Sequence, residues 1–332
     1  MPTSVERLTD RAAIIEGIEL WNRQHPDFRI ADHLVAGNVF APFDGVDVRC
    51  YGGYADGSMV AFGVLKRLGR AVDGYDPVDL AWLSVFAFDA EADRGKSVAD
   101  DLLATVAEAA AGTGATELRF GGDPQNFLAG VPRAVGTAYR GALVDAGFEI
   151  DADRVVYDLQ RDITDFTPPD DVRAIGDEWP DLRVERATTH EPALLEFLAD
   201  QFPGRWRYEA GNVCRVPGGA ADYWVLLYEG SVIGFARSNR HDGAYRGANV
   251  NWGWRLADEH CGVGPLGVHG DYRGRGWGLY MICEIVGRLR DAGYEAAVID
   301  WTDLPGYYEQ LGFERWIAYE AAACELPTGR ST

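Results

Sequence analysis

The chain has 332 residues with 31 Lys+Arg against 52 Asp+Glu, a net charge of −21. At roughly 150 residues per domain this allows about two domains, each long enough to bury a core, and 47% apolar with 25% charged residues is a globular composition. The acidity argues against a nucleic-acid partner, which needs surplus positive charge to displace counterions, and suits a solvated surface or a cationic substrate.

Asp10 precedes a helical pattern over Arg11 to Trp21 and is placed to cap it. A hairpin follows: Val46 to Tyr54, the turn Ala55-Asp56-Gly57, then Met59 to Leu65. Leu80 to Phe88 reads as a strand, and Leu102, Leu103, Val106, Ala107 and Ala110 then recur at helical spacing. Thr116 to Phe120 is a second strand. Gly121-Gly122-Asp123-Pro124-Gln125-Asn126 and Gly130-Val131-Pro132 read as a loop before Ala146-Gly147-Phe148. Arg161 to Asp181 holds Pro168, Pro169 and Pro180 with little periodicity, and reads as a boundary.

The same order then repeats. Pro192 opens a helix to Phe202, and Tyr223 to Tyr228, Glu229-Gly230 and Val232 to Ala236 form a second hairpin. Gly264 to Val268 is β-like; Leu279, Ile282, Ile285, Val286 and Leu289 are helical; Glu295 to Trp301 is β-like; Leu311-Gly312-Phe313 closes the copy. Arg94-Gly95-Lys96 and Arg273-Gly274-Arg275 lie at matching places, each 20 residues before a glycine, Gly114 and Gly293. Phe148 lies 54 residues beyond Arg94 but Phe313 only 40 beyond Arg273, so the first copy carries an insertion. The expected fold class is α/β with a mixed sheet in two tandem copies: residues 1–160, a linker at 161–181, and residues 182–325.

Cys50, Cys214, Cys261, Cys283 and Cys324 are odd in number and show no Cys-x-x-Cys pair, so neither a disulfide framework nor a metal site is expected. The first ten residues hold no apolar signal core, and no run approaches the roughly 20 apolar residues of a membrane span, so a cytoplasmic protein without a membrane partner is expected.

Arg273 to Gly278 carries the chemistry. A strand-to-helix turn presents about four unpaired N–H groups and partial positive charge. Glycines at 274, 276 and 278 remove the Cβ atoms that would block a phosphate, and Arg273 and Arg275 add charge-assisted donors. The pattern reads as a pyrophosphate cradle. A dinucleotide fingerprint fails at Leu279, and a P-loop in the first copy fails at Ala90.

Arg-x-x-Gly-x-Gly at 273–278, followed some 35 residues later by Tyr308-Glu309-Gln310-Leu311-Gly312-Phe313, resembles the GNAT N-acetyltransferases. Their signatures are Gln/Arg-x-x-Gly-x-Gly/Ala and Tyr-Glu-Lys-Leu-Gly-Phe. The resemblance covers about 183–320 and, more weakly, 5–160, so the chain resembles a tandem GNAT protein. It implies acetyl-CoA as co-substrate, with its pyrophosphate on Arg273, Gly274, Arg275, Gly276, Trp277, Gly278 and Leu279. Its pantetheine arm is implied along Leu266, Gly267 and Val268, with a backbone N–H near Val268 polarising the thioester carbonyl. Pro265 suits the bulge that family members place in this strand, and equally a plain strand start.

Tyr308 aligns with the tyrosine that protonates the departing thiolate, and Tyr307 is its neighbour. For the base, Glu259, His260, His269 and Asp300 are all candidates, and a water relay is an alternative. The first copy has Ser97 for the central glycine and Leu143 at the place of Tyr308, which reads as a degenerate unit, although Arg94-Gly95-Lys96 leaves a second CoA site open. The resemblance implies acceptor-pocket lining at Trp206 and Tyr208, which follow the first helix of the second copy, while Asn249, Asn251, Trp252 and Trp254 form a cluster that suits gripping a sugar ring or cation, or core packing. The implied activity is N-acetyl transfer to a small-molecule amine, by a monomer or homodimer. A peptide or longer-acyl transferase and a CoA-binding sensor are the alternatives.

Overall fold

The computed structural model describes residues 3–327. In chain order they form β1 (Thr3–Leu8), α1 (Arg11–Gln24), α2 (Asp32–Val35), β2 (Val46–Ala55), β3 (Ser58–Leu68), β4 (Leu80–Phe88), α3 (Gly95–Ala111), β5 (Glu117–Phe120), β6 (Val131–Pro132), α4 (Thr137–Asp145) and β7 (Glu149–Asp162). Then follow α5 (Asp170–Glu178), β8 (Arg183–Arg186), α6 (Glu191–Gln201), α7 (Arg205–Arg215), β9 (Tyr223–Tyr228), β10 (Ser231–Arg240), β11 (His260–Val268), α8 (Trp277–Asp291), β12 (Ala296–Thr302), α9 (Pro305–Glu309) and β13 (Glu314–Glu325). None of the described helices is long and apolar enough to cross a membrane. All five cysteines are unbridged.

The chain divides into two units. Unit 1 holds residues up to 71, then 76–156 and those from 318; unit 2 holds 72–75 and 157–317. Unit 1 orders its strands β1-β2-β3-β4-β5-β13, and unit 2 orders β8-β9-β10-β11-β12-β7. In each, one central pair is parallel, β4 with β5 and β11 with β12, and the others named in the registers are antiparallel. The repeat is thus the same six-stranded mixed sheet twice.

The boundaries differ from 1–160, 161–181 and 182–325 in two ways. Residues 157–162 of β7 pair with Thr302 to Ala296 in unit 2. Ala323–Glu325 of β13 pair with Arg119–Glu117 in unit 1. Each sheet is therefore completed by the strand that follows the Gly-Phe turn of the other copy. Residues 161–181 are not a bare linker: they contain the end of β7 and all of α5, whose Val172 is buried. Strand periodicity fixes which residues face a core, not which edge a strand joins.

Local signals account for the elements. The Asp10 carboxylate accepts from the Ala13 N–H at 3.0 Å and caps α1. Both hairpins turn through two residues at positive φ, Asp56-Gly57 (54° and 82°) and Glu229-Gly230 (49° and 80°), the twist that two-residue turns need. In unit 1 a Cβ at Gly53 would stand 2.5 Å from Val98, so that glycine lets α3 lie close on the sheet. In unit 2, Met281, Ile282, Ile285, Val286 and Leu289 of α8 pack on Val263, Ala297 and Ile299.

The insertion of unit 1 is buried rather than a surface loop. Asp123 and Lys66 are both fully buried and pair at 2.5 Å, and Lys66 also donates to Asn38. Removing one member of such a pair leaves a charge without its counter-ion in a low dielectric. Lys66→Met should destabilise the protein by about 3–5 kcal/mol. The double variant Lys66→Met/Asp123→Leu should regain most of that loss, as read from urea unfolding midpoints.

Candidate active site

The site of unit 2 begins where two strands part. β11 pairs with β12 only at His260–Gly262 against Ala296–Val298. Beyond Gly262, β11 keeps its ladder with β10 alone. Its register there jumps from Ala236 opposite Leu266 to Ser238 opposite Val263, so Gly264 and Pro265 bulge opposite Arg237. The register of β12 also breaks between Ile299 and Thr302, around Asp300 and Trp301. Trp301 has φ 48°, and its N–H donates to Asp158 at 2.9 Å. Two facing bulges hold the strands apart and re-aim the residues on them.

The strand runs into a cradle of free amides. Gly274 and Gly276 have φ of 78° and 77°, which favours glycine, and a Cβ on Gly276 would also stand 2.9 Å from Ile175 of α5. The first inward N–H of α8 is that of Tyr280, donating to Gly276 O at 3.0 Å. Among the described residues the N–H groups of Gly274 to Leu279 make no backbone hydrogen bond. Arg273 Nε donates to Val268 O at 2.9 Å and ties the end of β11 to the cradle. The Arg275 guanidinium lies over Tyr272 and Trp277, at 5.5 and 5.1 Å. Trp277 is buried against Trp179 and Tyr228 and anchors the first turn of α8. Leu266 is partly exposed beside the parting, whereas Gly267 and Val268 are buried. A Cβ on Gly267 would overlap Phe202 and Phe235, at 2.6 and 2.8 Å.

Two tyrosines from α9 reach this region, ring to ring at 5.2 Å. The Tyr307 hydroxyl lies over Gly278, 2.3 Å from where a Cβ would stand. The Tyr308 hydroxyl is pushed up to about 12 by burial, with the Asp300 and Asp303 carboxylates adding to the shift. It is a protonated donor at neutral pH.

Of the four candidate bases, Asp300 lies at the bulge. A Cβ on Gly264 would be 3.1 Å from Asp300 Oδ1, and Asn249 Nδ2 donates to the same oxygen at 3.3 Å. The protein packed round it pushes its carboxyl up to about 6, partly offset by the charge of Arg237. The other three hold local structure. The His260 ring nitrogens lie 3.0–3.1 Å from backbone carbonyls of Ala257, Asp258 and Val250. His269 Nδ1 accepts from the Asp271 N–H at 3.2 Å. Glu259 is exposed, 3.7 Å from His241.

The acceptor candidates divide by burial. Tyr208 is fully buried and packs on Tyr75 at 5.4 Å. Trp252 and Asn251 are buried, with Trp252 edge-on to Trp316 at 5.3 Å. Trp206 is half-buried between Phe202 and Phe235. Asn249 sits at Asp300. The residues closest to it in character, Arg237 and Asn239 of β10, are absent from the sequence-based set. The signal for them was a charged and an amide side chain in the inward register of an apolar strand.

Unit 1 has the same parting, since β4 pairs with β5 only over Leu80–Leu83. The rest of its site differs. Six residues join β4 to α3, where eight join β11 to α8, so the helix-capping residue at left-handed φ is Arg94 (63°) in place of Gly276. This corrects the matching of Arg94-Gly95-Lys96 with Arg273-Gly274-Arg275. The short loop is acidic, and the Asp89 carboxylate accepts from the N–H groups of Glu91 and Ala92 at 3.0 and 3.2 Å. Lys96 pairs with Asp100 and Asp145. Leu143 is buried, and the Tyr139 hydroxyl donates to Phe86 O at 2.9 Å in the parted stretch of β4.

Residues 184–313 match the acetyltransferase (GNAT) family model. No curated protein sequence matches the chain. Among solved structures it is similar to a GCN5-related glucosamine N-acetyltransferase region of a fungal multi-domain GH3 β-N-acetylglucosaminidase, with a TM-score of 0.85 and 18% identity over 97% of this chain. The chain spans 38% of that protein's length. It is similar to a tandem GNAT protein from the clavulanic acid biosynthesis pathway (TM-score 0.66, 13% identity, 99% of this chain and 100% of that one). It is similar also to a GCN5-related N-acetyltransferase from Sphaerobacter thermophilus (TM-score 0.63, 14% identity, 98% and 96%). The fold is that of tandem GNAT proteins. Among the described residues no group of three or more His, Cys, Asp or Glu side chains is arranged to hold a metal ion.

Proposed function

We propose, for a chain whose residues 184–313 match the GNAT acetyltransferase family model, that unit 2 moves an acetyl group from acetyl-CoA to a small-molecule amine by direct attack in a ternary complex. The observation that carries this reading is the pairing of a one-sided strand, Val263 to Val268, with the free amide row of Gly274 to Leu279. The pyrophosphate of acetyl-CoA lies on that row, with Arg273 and Arg275 at its rim, and the pantetheine arm pairs along Leu266 to Val268. The thioester then reaches the Gly264–Pro265 bulge, between Asp300 and Tyr308. The fungal relative named above acts on glucosamine, a small amine, which supports the acceptor class.

The chemistry follows from two shifted groups. Asp300 takes a proton from the acceptor ammonium, leaving a neutral nitrogen with a free lone pair. The nitrogen attacks the thioester carbonyl carbon. A backbone N–H of β11 on its unladdered side supports the oxyanion. As the C–S bond breaks, Tyr308 gives its proton to the departing sulfur, and the attacking nitrogen releases its second proton to solvent. Unit 1 is a non-catalytic unit in this reading, because its strand-to-helix loop is shorter and acidic, with Asp89 holding the amides of Glu91 and Ala92, and Tyr139 occupies the Phe86 carbonyl in the parted stretch of β4.

Three measurements test this. Calorimetry should show one equivalent of acetyl-CoA bound by the wild type and none by Gly276→Glu, which sets a carboxylate in the cradle; two equivalents would make unit 1 a live site. Tyr308→Phe should lower kcat about 10²-fold or more with acetyl-CoA affinity unchanged. An unchanged kcat removes Tyr308 from the mechanism. The pH profile of kcat/KM should rise through an apparent pKa of about 6, since Asp300 works as a base only when ionised, and Asp300→Asn should abolish that limb.

A further inference from the structure

Side chains alternate along β10, so Phe235, Arg237 and Asn239 share one face of the sheet. Opposite them β11 carries Gly262, Gly264 and Gly267; Asn249 lies over Gly262, and Phe202 and Phe235 lie over Gly267. Arg237 is 6% exposed, and its Nε and Nη2 have no hydrogen-bond partner. Its guanidinium lies over the Tyr245 ring, 4.6 Å from the centroid. Asn239 donates Nδ2 to Gly264 O at 3.2 Å, and Asn249 donates Nδ2 to Asp300 Oδ1 at 3.3 Å. Those acceptors fix both amides, and each Oδ1 is left buried and unpartnered. The two oxygens converge. A Cβ at Gly247 would stand 3.1 Å from Asn239 Oδ1, 3.6 Å from Asn249 Oδ1 and 3.6 Å from the Tyr245 ring.

Two unpartnered donor atoms and two unpartnered acceptor atoms thus gather beside the bulge and Asp300. Buried polar groups are almost always paired, so four together at a reaction centre point to a ligand that pairs them. We infer that the acceptor of unit 2 is a hydroxyl-rich amine, an amino sugar or aminopolyol. Its hydroxyls accept from Arg237 and donate to Asn239 and Asn249 while its amino group lies at Asp300. This rests on the acyl-transfer reading of the site and names its substrate class.

Hydroxyl is the group that both accepts and donates, as this set requires. A carboxylate would satisfy Arg237 but face two amide oxygens and Asp300. A hydrocarbon amine leaves all four atoms unmade, and sites built to bond a substrate hydroxyl reject analogues that lack it by large factors.

The test uses wild-type protein with glucosamine, cyclohexylamine and β-alanine as probes, read both by calorimetric binding in the presence of CoA and by acetyl transfer. Glucosamine should bind, and its kcat/KM should exceed that of the other two by about 10³-fold or more. Arg237→Gln and, separately, Asn239→Ala should bring that preference to within about tenfold while acetyl-CoA affinity is unchanged. Equal use of cyclohexylamine, preference for β-alanine, or absence of glucosamine binding to the wild type overturns the inference. Acetyl-CoA titrated alone reports on the acyl-transfer reading separately: its failure to bind sinks that reading, whereas its binding without glucosamine binding sinks only the acceptor class.

Discussion

Strands β11 and β12 share a ladder only over His260–Gly262, and the six residues beyond keep their peptide groups open on one side. Backbone N–H and C=O groups left unpaired inside a protein are costly, so such a gap persists only where something else completes it. Bulges at Gly264–Pro265 and around Asp300–Trp301 enforce the gap from both strands. The one-sided strand, the free amides of Gly274 to Leu279, and the placement of Asp300 against Gly264 are consequences of that parting. Were the ladder to continue, Asp300 would pair in register and no slot would open.

The two units show how little of a site the scaffold alone supplies. Unit 1 has the same strand order and the same parting of its parallel pair. Its strand-to-helix loop is two residues shorter and acidic, with Asp89 bonded to the amides of Glu91 and Ala92. The Tyr139 hydroxyl meets the carbonyl of Phe86 from inside the unit. The buried Lys66–Asp123 pair fixes the insertion that unit 2 lacks. One architecture holds a cradle in one copy and a self-satisfied core in the other because side chains, not strand order, decide which backbone groups stay free.

The repeat, both hairpins, the Asp10 cap, the central strands and the helix beginning beside Arg273-Gly274-Arg275-Gly276 were all legible, since each rests on local periodicity or turn chemistry. The glycines at 274 and 276 were legible for the same reason, and both take the positive φ that glycine suits. The structure sets Arg94 against Gly276 and not against Arg273, because letters align where loops of different length do not. Asp300 stands among four candidate bases, and its place at the β12 bulge against Gly264 distinguishes it from the buried His260, whose ring is bonded to backbone carbonyls. Arg237 and Asn239 are not legible in the sequence as site residues, because the burial of a polar strand residue depends on neighbours distant in the chain.

The sequence by itself determined the elements, their duplication and the glycine-rich turn at 273–278, all of which depend on residues within about one element of each other. The tertiary structure decided which edge each closing strand joins, so that β13 completes the sheet of unit 1 and residues 157–162 of β7 complete that of unit 2. It also decided which of many acids and amides meet at Gly264. Register across strands and burial depend on partners distant in the chain, and no local pattern encodes that distance.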